Sequence, residues 1–160
     1  GPVLLQSKIK ITKEINYKEL SGQMTELGAK LILDTLKLIE SKRTDFIEQN
    51  ESQATYAKKI EKSETKINWN DDAEKIVAKI NAFSPNPGCW FELNRNRIKI
   101  IKAKKVIGEG MPGTILNDKF TIACSKNAIQ IIELQKEGKQ IIKADEFLKG
   151  NKIKTGQSLN

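Results

Sequence analysis

The sequence predicts an α+β protein in which a strand and a long helix precede a linker and a small β-barrel. Three observations indicate this fold class. Apolar residues recur at helical spacing over residues 17–41, residues 47–67 are polar with balanced charges, and five short strand-like runs follow Pro87-Gly88. The 160 residues suffice for one sizeable core or two small ones. We therefore expect three parts, residues 1–46, 47–67 and 68–160.

The first part combines a predicted strand with a predicted helix. Over residues 3–12, mostly apolar positions alternate with mostly polar ones, which is typical of a strand. Asn16 and Glu19 then match a capping box, and leucine, isoleucine and methionine follow at helical spacing up to Ser41. A strand and one helix cannot bury such a stripe, so this part predicts the last piece of an incomplete α/β domain. An exposed stripe over residues 17–41 favours self-association.

The linker and the barrel follow. Residues 47–67 carry four lysines and four glutamates, a balance typical of linkers. In the short helix after them, Asn70 is the predicted N-cap, Asp71 and Asp72 favour the first turn, and two prolines end the helix. Strand-like runs cover residues 89–93, 97–103, 114–116, 120–124 and 128–134, and a final helix covers 144–149. Five closely spaced strands predict a small closed or partly open barrel.

The composition excludes several classes of function. The chain contains no histidine, which excludes a histidine general base and the Ser-His and Cys-His arrangements of nucleophilic catalysis within it. It has no phosphate-binding glycine loop and no close set of carboxylates for a metal. Cys89 and Cys124 are far apart, so we expect buried free thiols. No apolar run approaches the roughly 18 residues of a membrane span, and no signal-peptide pattern opens the chain, so a cytosolic location is expected.

Positive charge is concentrated in the predicted barrel. Residues 68–160 hold 16 Lys and Arg against 10 Asp and Glu, a balance of +6, whereas residues 1–46 hold 8 against 6, a balance of +2. Arg95, Arg97 and Lys99 alternate with other residues, so a strand there would direct all three cations to one face. Such a row fits a polyanion backbone, and it equally fits an ordinary solvated face. Aromatic residues are sparse there, which favours backbone and shape contacts to folded RNA over base stacking.

Three ordered strings carry a resemblance to a known family. The strings are Gln53-Ala54-Thr55-Tyr56-Ala57-Lys58-Lys59-Ile60, Ile67-Asn68-Trp69 and Ile80-Asn81-Ala82-Phe83-Ser84-Pro85-Asn86-Pro87-Gly88. They resemble the patterns ATYAxKI, IDW and IRAFNPxPG, which mark the linker and the start of the second domain in methionyl-tRNA formyltransferases. Asn68, Asn81 and Ser84 depart from the family's Asp, Arg and Asn. Both ends of the chain also resemble the family, so the resemblance covers essentially all of it.

The resemblance implies a fold and an activity. Members of the family transfer a formyl group from 10-formyltetrahydrofolate to the amino group of methionine on initiator tRNA, a step in translation initiation. They join a Rossmann-like catalytic domain to an OB-like barrel. Their catalytic Asn, His and Asp lie upstream of the region that this chain resembles. The resemblance therefore implies a C-terminal fragment with no catalytic residue, inactive by itself, whose first part belongs to the Rossmann-like domain and whose last part is the OB-like barrel.

The resemblance also implies which residues hold tRNA. In the family, linker lysines and the basic barrel face the tRNA, which carries over to Lys58, Lys59, Lys62, Arg95, Arg97, Lys99, Lys102 and Lys104. The implied partner is initiator methionyl-tRNA, with no membrane, no metal and no cofactor in this chain; 10-formyltetrahydrofolate belongs to the complete enzyme. Trp69 and Tyr56 are expected to pack between linker and barrel rather than to stack on bases.

Two other functions stay open from the sequence. Sugar-nucleotide formyltransferases and formyltetrahydrofolate hydrolases or dehydrogenases share part of the strings, but they act on small molecules and give no reason for a basic barrel. A non-enzymatic barrel that binds nucleic acid fits the composition. It would leave the strand and helix of residues 3–41 without a domain to pack on.

Overall fold

The computed structural model describes residues 1–159. It divides into two compact units, residues 1–60 and residues 61 onward. Unit 1 contains the helix α1, Tyr17–Glu40, and a short 3-10 helix, Glu51–Gln53. Unit 2 contains a second 3-10 helix, two α-helices and six strands. The expected three-part division at residues 46 and 67 stays a prediction.

Helix α1 confirms the predicted long helix and its N-terminal signal. The amide of Glu19 donates to Asn16 Oδ1 at 3.0 Å, and the amide of Asn16 donates to Glu19 Oε2 at 3.2 Å, which completes a capping box. At the other end, Ser41 Oγ donates to the carbonyl oxygen of Lys37 at 2.8 Å. No residue of α1 is buried. The helix therefore forms from local signals while its apolar stripe is only partly covered within unit 1. Leu20, Leu27, Leu31 and Leu38 are half-buried, whereas Met24, Ile32, Leu36 and Ile39 are exposed.

The predicted strand over residues 3–12 is wrong. These residues form no strand, and their one ladder contact is an antiparallel bridge between Val3 and Ile47, with N···O distances of 2.9 and 2.8 Å. Alternation produces a strand only where a neighbouring strand accepts and donates backbone hydrogen bonds. Among the described residues, only Ile47 provides this partner. The Rossmann-like character of residues 1–46 stays a prediction.

Unit 2 begins with the 3-10 helix Lys62–Thr65 and the helix α2, Ala73–Phe83. The N-cap of α2 is Asp72, whose Oδ1 accepts from the amide of Lys75 at 2.8 Å, and not the predicted Asn70. Asn70 instead belongs to the preceding turn, since its amide donates to Asn68 Oδ1 at 3.2 Å. A side-chain turn of this kind competes with helix geometry and delays the helix start.

All six strands form one antiparallel sheet. They are β1 Cys89–Leu93, β2 Asn96–Val106, β3 Ile115–Asn117, β4 Thr121–Ala123, β5 Ala128–Lys136 and β6 Ile141–Lys143, and helix α3, Ala144–Gly150, follows. The order is β1-β2-β5-β4-β3, and β6 pairs with β5. The five predicted strands and the final helix are confirmed. Strand β6 was not predicted, because it runs directly into α3 at Ala144 and no turn residue marks its end.

The sheet curls into a partly open half-barrel. Its two ends, β1 and β3, are not paired with each other in the described residues. Other segments cover these edges. The amide of Ile67 donates to the carbonyl of Trp90 on β1 at 2.8 Å, and the amide of Gly156 donates to the carbonyl of Ile115 on β3 at 2.8 Å. Covering the edges in this way protects unpaired backbone groups from other chains.

The core of unit 2 is aromatic along its middle. The rings of Trp69 and Phe91 meet edge to face at 5.7 Å, Phe91 and Phe120 at 6.1 Å, and Phe120 stacks on Phe147 at 5.8 Å. Trp69 is 4% exposed, which confirms it as a packing residue. Tyr56 is 94% exposed, so the same expectation is wrong for Tyr56, because nothing in unit 1 covers its ring. Both cysteines are buried and free, as predicted.

Candidate nucleic-acid interface

The β1–β2 hairpin decides which side chains share a face of the sheet. Its turn is Asn94-Arg95, with φ of 51° and 62°, the left-handed pair of a type I′ turn. Across the hairpin, Phe91 lies opposite Ile98 on the buried face. The next pairs, Trp90 opposite Lys99 and Glu92 opposite Arg97, therefore lie on the outer face. The predicted row of Arg95, Arg97 and Lys99 is corrected at its first member, because Arg95 lies in the turn and not on the strand.

A pair of register shifts brings two further lysines to the outer face. The pairing of β2 with β5 is irregular between Ile100 and Lys102 and again between Lys102 and Ala103. Ile100 and Ile101 are both buried, so the alternation of β2 moves by one residue at this point. After the shift, Ala103 is buried whereas Lys102 and Lys104 are exposed. We call the row of Arg97, Lys99, Lys102 and Lys104 the basic row.

The basic row spans about 20 Å along β2, at roughly 3.3 Å per strand residue. Acidic neighbours on the outer face are few. Glu92 lies opposite Arg97, and Glu133 on β5 lies opposite both Lys102 and Lys143 of β6. Within the described residues, no member of the basic row forms an ion pair. The row therefore carries four positive charges that form no ion pair, with one glutamate opposite Arg97 and one opposite Lys102.

Two lysines of unit 2 outside the row are paired with acids. Lys105 Nζ lies 3.3 Å from Glu74 Oε2 on α2. Lys75 Nζ lies 2.6 Å from Asp71 Oδ1, and this hydrogen bond raises the pKa of Lys75. Their charges are already balanced at short range. The contrast separates lysines that stabilise the fold locally from those of the basic row.

Trp90 is a member of this surface that sequence reasoning missed. The Arg97 guanidinium lies over its ring at 4.1 Å from the centroid, and Lys66 Nζ lies at 5.4 Å. Trp90 Nε1 donates to Thr65 Oγ1 at 3.1 Å. A signal was present, since the two-residue turn after Leu93 places Trp90 opposite Lys99 by counting alone. The predicted strands 89–93 and 97–103 leave three residues between them instead of two, which hides this pairing.

The remaining predicted tRNA residues lie elsewhere. Lys62 begins the second 3-10 helix and is exposed, and its carbonyl oxygen accepts from Thr65 Oγ1 at 2.8 Å. Arg95 is exposed in the hairpin turn. Lys58 and Lys59 are exposed in unit 1, in the extended segment after the first 3-10 helix. The structure thus brings four of the eight together in the basic row, with Lys62 linked through Thr65 to the ring of Trp90.

Two clefts adjoin these residues. A cleft of about 270 Å³ lies beside Arg97 and Lys99, and one of about 350 Å³ lies between the β1 edge and residues 157–159. In residues 1–159, no group of three or more His, Cys, Asp or Glu side chains is placed to hold a metal ion. None of the helices over the same residues is long and apolar enough to cross a membrane.

Comparison with curated proteins finds relatives that share one name. Methionyl-tRNA formyltransferase of Rhodopseudomonas palustris (strain BisB5) is 37% identical over 160 residues, which cover 98% of this chain and 52% of the relative. The Brucella canis protein of the same name is 35% identical over 157 residues, covering 96% and 51%. The chain thus spans about half the length of the curated relatives it matches. These values agree with the resemblance of the three strings.

Solved structures with a similar fold are also found. A variant of HypX from Aquifex aeolicus superposes with a TM-score of 0.68 at 18% identity, over 88% of this chain and 27% of that one. HypX in complex with tetrahydrofolic acid gives a TM-score of 0.60 at 18% identity, over 74% and 22%. A family model described as formyl transferase, C-terminal domain, matches residues 59–152, most of unit 2. The half-barrel with its basic row, the sequence relatives and this match together show that the chain belongs to the formyl transferase C-terminal domain family.

Proposed function

We propose that this chain is the RNA-holding half of a methionyl-tRNA formyltransferase. The complete enzyme would transfer the formyl group of 10-formyltetrahydrofolate to the methionine amino group of initiator tRNA, in the cytoplasm. The single observation that carries the proposal is the basic row of Arg97, Lys99, Lys102 and Lys104, held on one face of a domain whose relatives bear this name.

The basic row suits a polynucleotide backbone for electrostatic reasons. Each cation that neutralises a phosphate releases counterions, so a row of unpaired cations gains free energy on meeting RNA. Lysines already paired with carboxylates would gain less, because the existing pair must first be broken. The rigid strand β2 also keeps the four side chains in one line without an ordering cost for the backbone.

The other predicted contacts complete the proposed surface. Lys62 and Arg95 belong to unit 2 and carry exposed cationic side chains. Lys58 and Lys59 are exposed in unit 1. We propose that all four add to the contacts of the basic row when tRNA binds. A surface dominated by positive charge predicts recognition of the backbone and shape of the RNA more than of its sequence.

The two clefts beside the basic row do not fit a folate site. Small cofactors bind in concave and mostly apolar pockets, usually of about 300–1,000 Å³. The two clefts of unit 2 beside the basic row are open at the surface, and polar side chains and backbone make up much of their lining. We therefore assign no step of formyl transfer to the described residues. The folate would bind to the part of the enzyme that this chain does not contain.

The test is binding of the 160-residue chain to initiator tRNA across a salt series, with an elongator tRNA as comparison. We expect log Kd to rise linearly with log salt concentration, with a slope of about 3 contributed by the basic row. Changing all four members of the row to glutamine should remove most of this slope. The matched control carries the same charge change at lysines of unit 2 that lie off the row, Lys119, Lys126, Lys139 and Lys149.

The outcomes separate the open functions. A preference for initiator tRNA, lost with the basic row and kept in the control, supports the proposal. If both variants lost affinity equally, net charge alone would account for the binding. An absence of binding at low salt would overturn the proposal and favour the relatives that act on small molecules.

A further inference from the structure

We infer that the cleft beside Arg97 and Lys99 binds one backbone phosphate of the RNA, and that Trp90 positions Arg97 for this contact. The inference rests on the proposed function and deepens it, because it names one contact point within the larger surface. The ligand chemistry is a phosphate oxyanion, and we commit to a phosphodiester of the polynucleotide as its source.

Arg97 has the geometry of a preorganised anion ligand. Its guanidinium lies 4.1 Å from the centroid of the Trp90 ring, the distance of a stacked cation–π contact. Among residues 1–159, its N–H groups make no hydrogen bond or ion pair. Stacking restrains the plane of the guanidinium while leaving its donors free. A phosphate can then accept hydrogen bonds from it with little further loss of side-chain entropy.

The Trp90 ring is itself held in place. Its Nε1 donates to Thr65 Oγ1 at 3.1 Å, and that hydroxyl donates in turn to the carbonyl oxygen of Lys62 at 2.8 Å. The carbonyl of Trp90 accepts from the amide of Ile67 at 2.8 Å. Thr65 is 2% exposed, so this chain of bonds is shielded from water. The ring therefore offers Arg97 a platform fixed by both backbone and side-chain bonds.

Lys99 is restrained from the other side by Gly88. The φ of Gly88 is +80°, and a Cβ built on it would lie 2.4 Å from Lys99 Cδ. The aliphatic stem of Lys99 therefore lies directly against the glycine backbone. A residue with a Cβ at this position would be strained by the positive φ and would displace the Lys99 stem.

The cleft between these groups suits a small anion. Its volume is about 270 Å³, and Pro87, Gln135, Lys136, Glu137 and Gly138 complete its lining. Lys136 Nζ donates to Asn151 Oδ1 at 2.7 Å, and its charge adds to those of Arg97 and Lys99 at the cleft. Glu137 is the one carboxylate of the lining, and it opposes an anion. Removing its charge should therefore strengthen binding, whereas removing a cation should weaken it.

The experiment measures tRNA binding by the 160-residue chain and its single variants across a salt series. Arg97→Gln should weaken binding about tenfold and reduce the salt slope by about one contact. Trp90→Leu leaves every charge in place, yet we expect about a fivefold loss, since Arg97 loses its platform. Trp90→Phe keeps a ring and should bind within about twofold of the parent. Lys149→Gln, on α3, is the matched charge control and should have little effect.

A double variant separates positioning from a structural role. If Trp90 acts through Arg97, then Trp90→Leu should cause no further loss when Arg97 is already glutamine. A purely structural role would instead add its full loss in that background. Thermal melting of each variant checks that the domain remains folded. If Trp90→Leu unfolds, Thr65→Val, which removes the hydrogen bond that holds the ring, takes its place in both backgrounds, and it should weaken binding only where Arg97 is present. Glu137→Gln should strengthen binding, about twofold, by removing a repulsion.

The outcomes distinguish this inference from the proposed function. If the parent chain does not bind tRNA, the proposed function fails. If the parent binds and loses affinity through Lys102 and Lys104 but not through Arg97 or Trp90, the inference alone is overturned. At equal ionic strength, inorganic phosphate should compete no better than chloride; saturable competition would overturn the phosphodiester as the source.

Discussion

Helices α1 and α2 are both amphipathic and both capped by a side chain, yet only α2 buries its apolar face. Ala73, Ile76 and Ile80 of α2 are at most 1% exposed, whereas Ile32 and Leu33 of α1 are 61% and 59% exposed. The difference shows that capping and periodicity suffice to form a helix, while burial requires a complementary surface. Unit 2 provides that surface through its curled sheet, and unit 1 does not.

The difference also changes what holds each unit together. In unit 2, side chains from α2, α3 and the sheet form one contiguous core. In unit 1, the helix has its own hydrogen bonds, its capping box and leucines that are at most half-buried, and the bridge between Val3 and Ile47 joins residues outside it. Isolated helices gain little stability beyond such local terms. We therefore expect substitutions of the same kind to have large effects in unit 2 and small ones in unit 1.

The largest contrast should come from apolar truncation. Phe91→Ala removes a ring that is 1% exposed and contacts both Trp69 and Phe120, so it should lower the free energy of unfolding of unit 2 by about 3–5 kcal/mol. Leu33→Ala on α1 should change stability by less than about 0.5 kcal/mol. Urea denaturation followed by tryptophan fluorescence and circular dichroism measures both. Similar losses for the two variants would refute the comparison.

Thiol reactivity probes the same contrast without destabilising the core. Burial raises the pKa of both Cys89 and Cys124 to about 11, so their thiolate content at pH 8 falls roughly a hundredfold. Native chain should react slowly with a disulfide reagent, and an Ile32→Cys variant should react at its exposed new thiol. Since the raised pKa favours the neutral thiol in the fold, this contribution to stability is present below the unfolded pKa and is lost as pH rises toward 11. Rapid modification of the native cysteines would show that unit 2 opens readily.

Self-association through the exposed face of residues 17–41 stays a prediction, and one substitution sharpens it. Ile32→Glu places a charge on the apolar stripe and should raise the dissociation constant of any oligomer at least about tenfold, given the 1.5–3 kcal/mol of burying such a side chain. Gln23→Glu makes the same charge change on the polar face and is the control. Size-exclusion chromatography with light scattering measures both. A chain that is monomeric at every concentration would refute this prediction.

The smallest effects should come from the helix caps. Asn16→Ala and Asp72→Ala each remove an N-cap hydrogen bond and should cost about 1 kcal/mol. The measured consequence should differ, because α1 frays alone whereas α2 unfolds with its core. Hydrogen exchange should quicken within α1 only for Asn16→Ala, and the melting temperature of unit 2 should fall only for Asp72→Ala. Asn16→Asp and Asp72→Asn retain the cap and serve as controls. If Asn16→Ala lowered the melting temperature of unit 2, the two units would not be independent.

Much of unit 2 could be predicted because its signals are local. The strands beginning at Cys89 and Ala128 start where predicted, since turn residues precede them and apolar residues alternate within them. The capping box of α1 was likewise visible in four residues. The strand over residues 3–12 could not be judged in this way, because its existence depends on partners that alternation does not reveal. Strand β6 was missed because it runs directly into α3, without a turn residue between them.

The candidate site was likewise predictable only in part. Its cationic composition was evident from the chain, and the strings identified the family. Which cations share a face was not evident, because the hairpin turn removes Arg95 from the row and the shift at Ile101 adds Lys102 and Lys104. Likewise, no local pattern indicates that Thr65 holds Trp90 or that Trp90 holds Arg97.

Periodicity, caps and turn residues were therefore enough to predict the helices and most strands, since each depends on neighbours within a few residues. The basic character of unit 2 followed from its composition alone. The alignment of the basic row and the platform under Arg97 arose only from contacts between segments distant in the chain. Backbone pairing across the sheet sets the phase of every side chain along a strand, and a single extra residue reverses it. That pairing is a property of two strands together, which neither strand encodes alone.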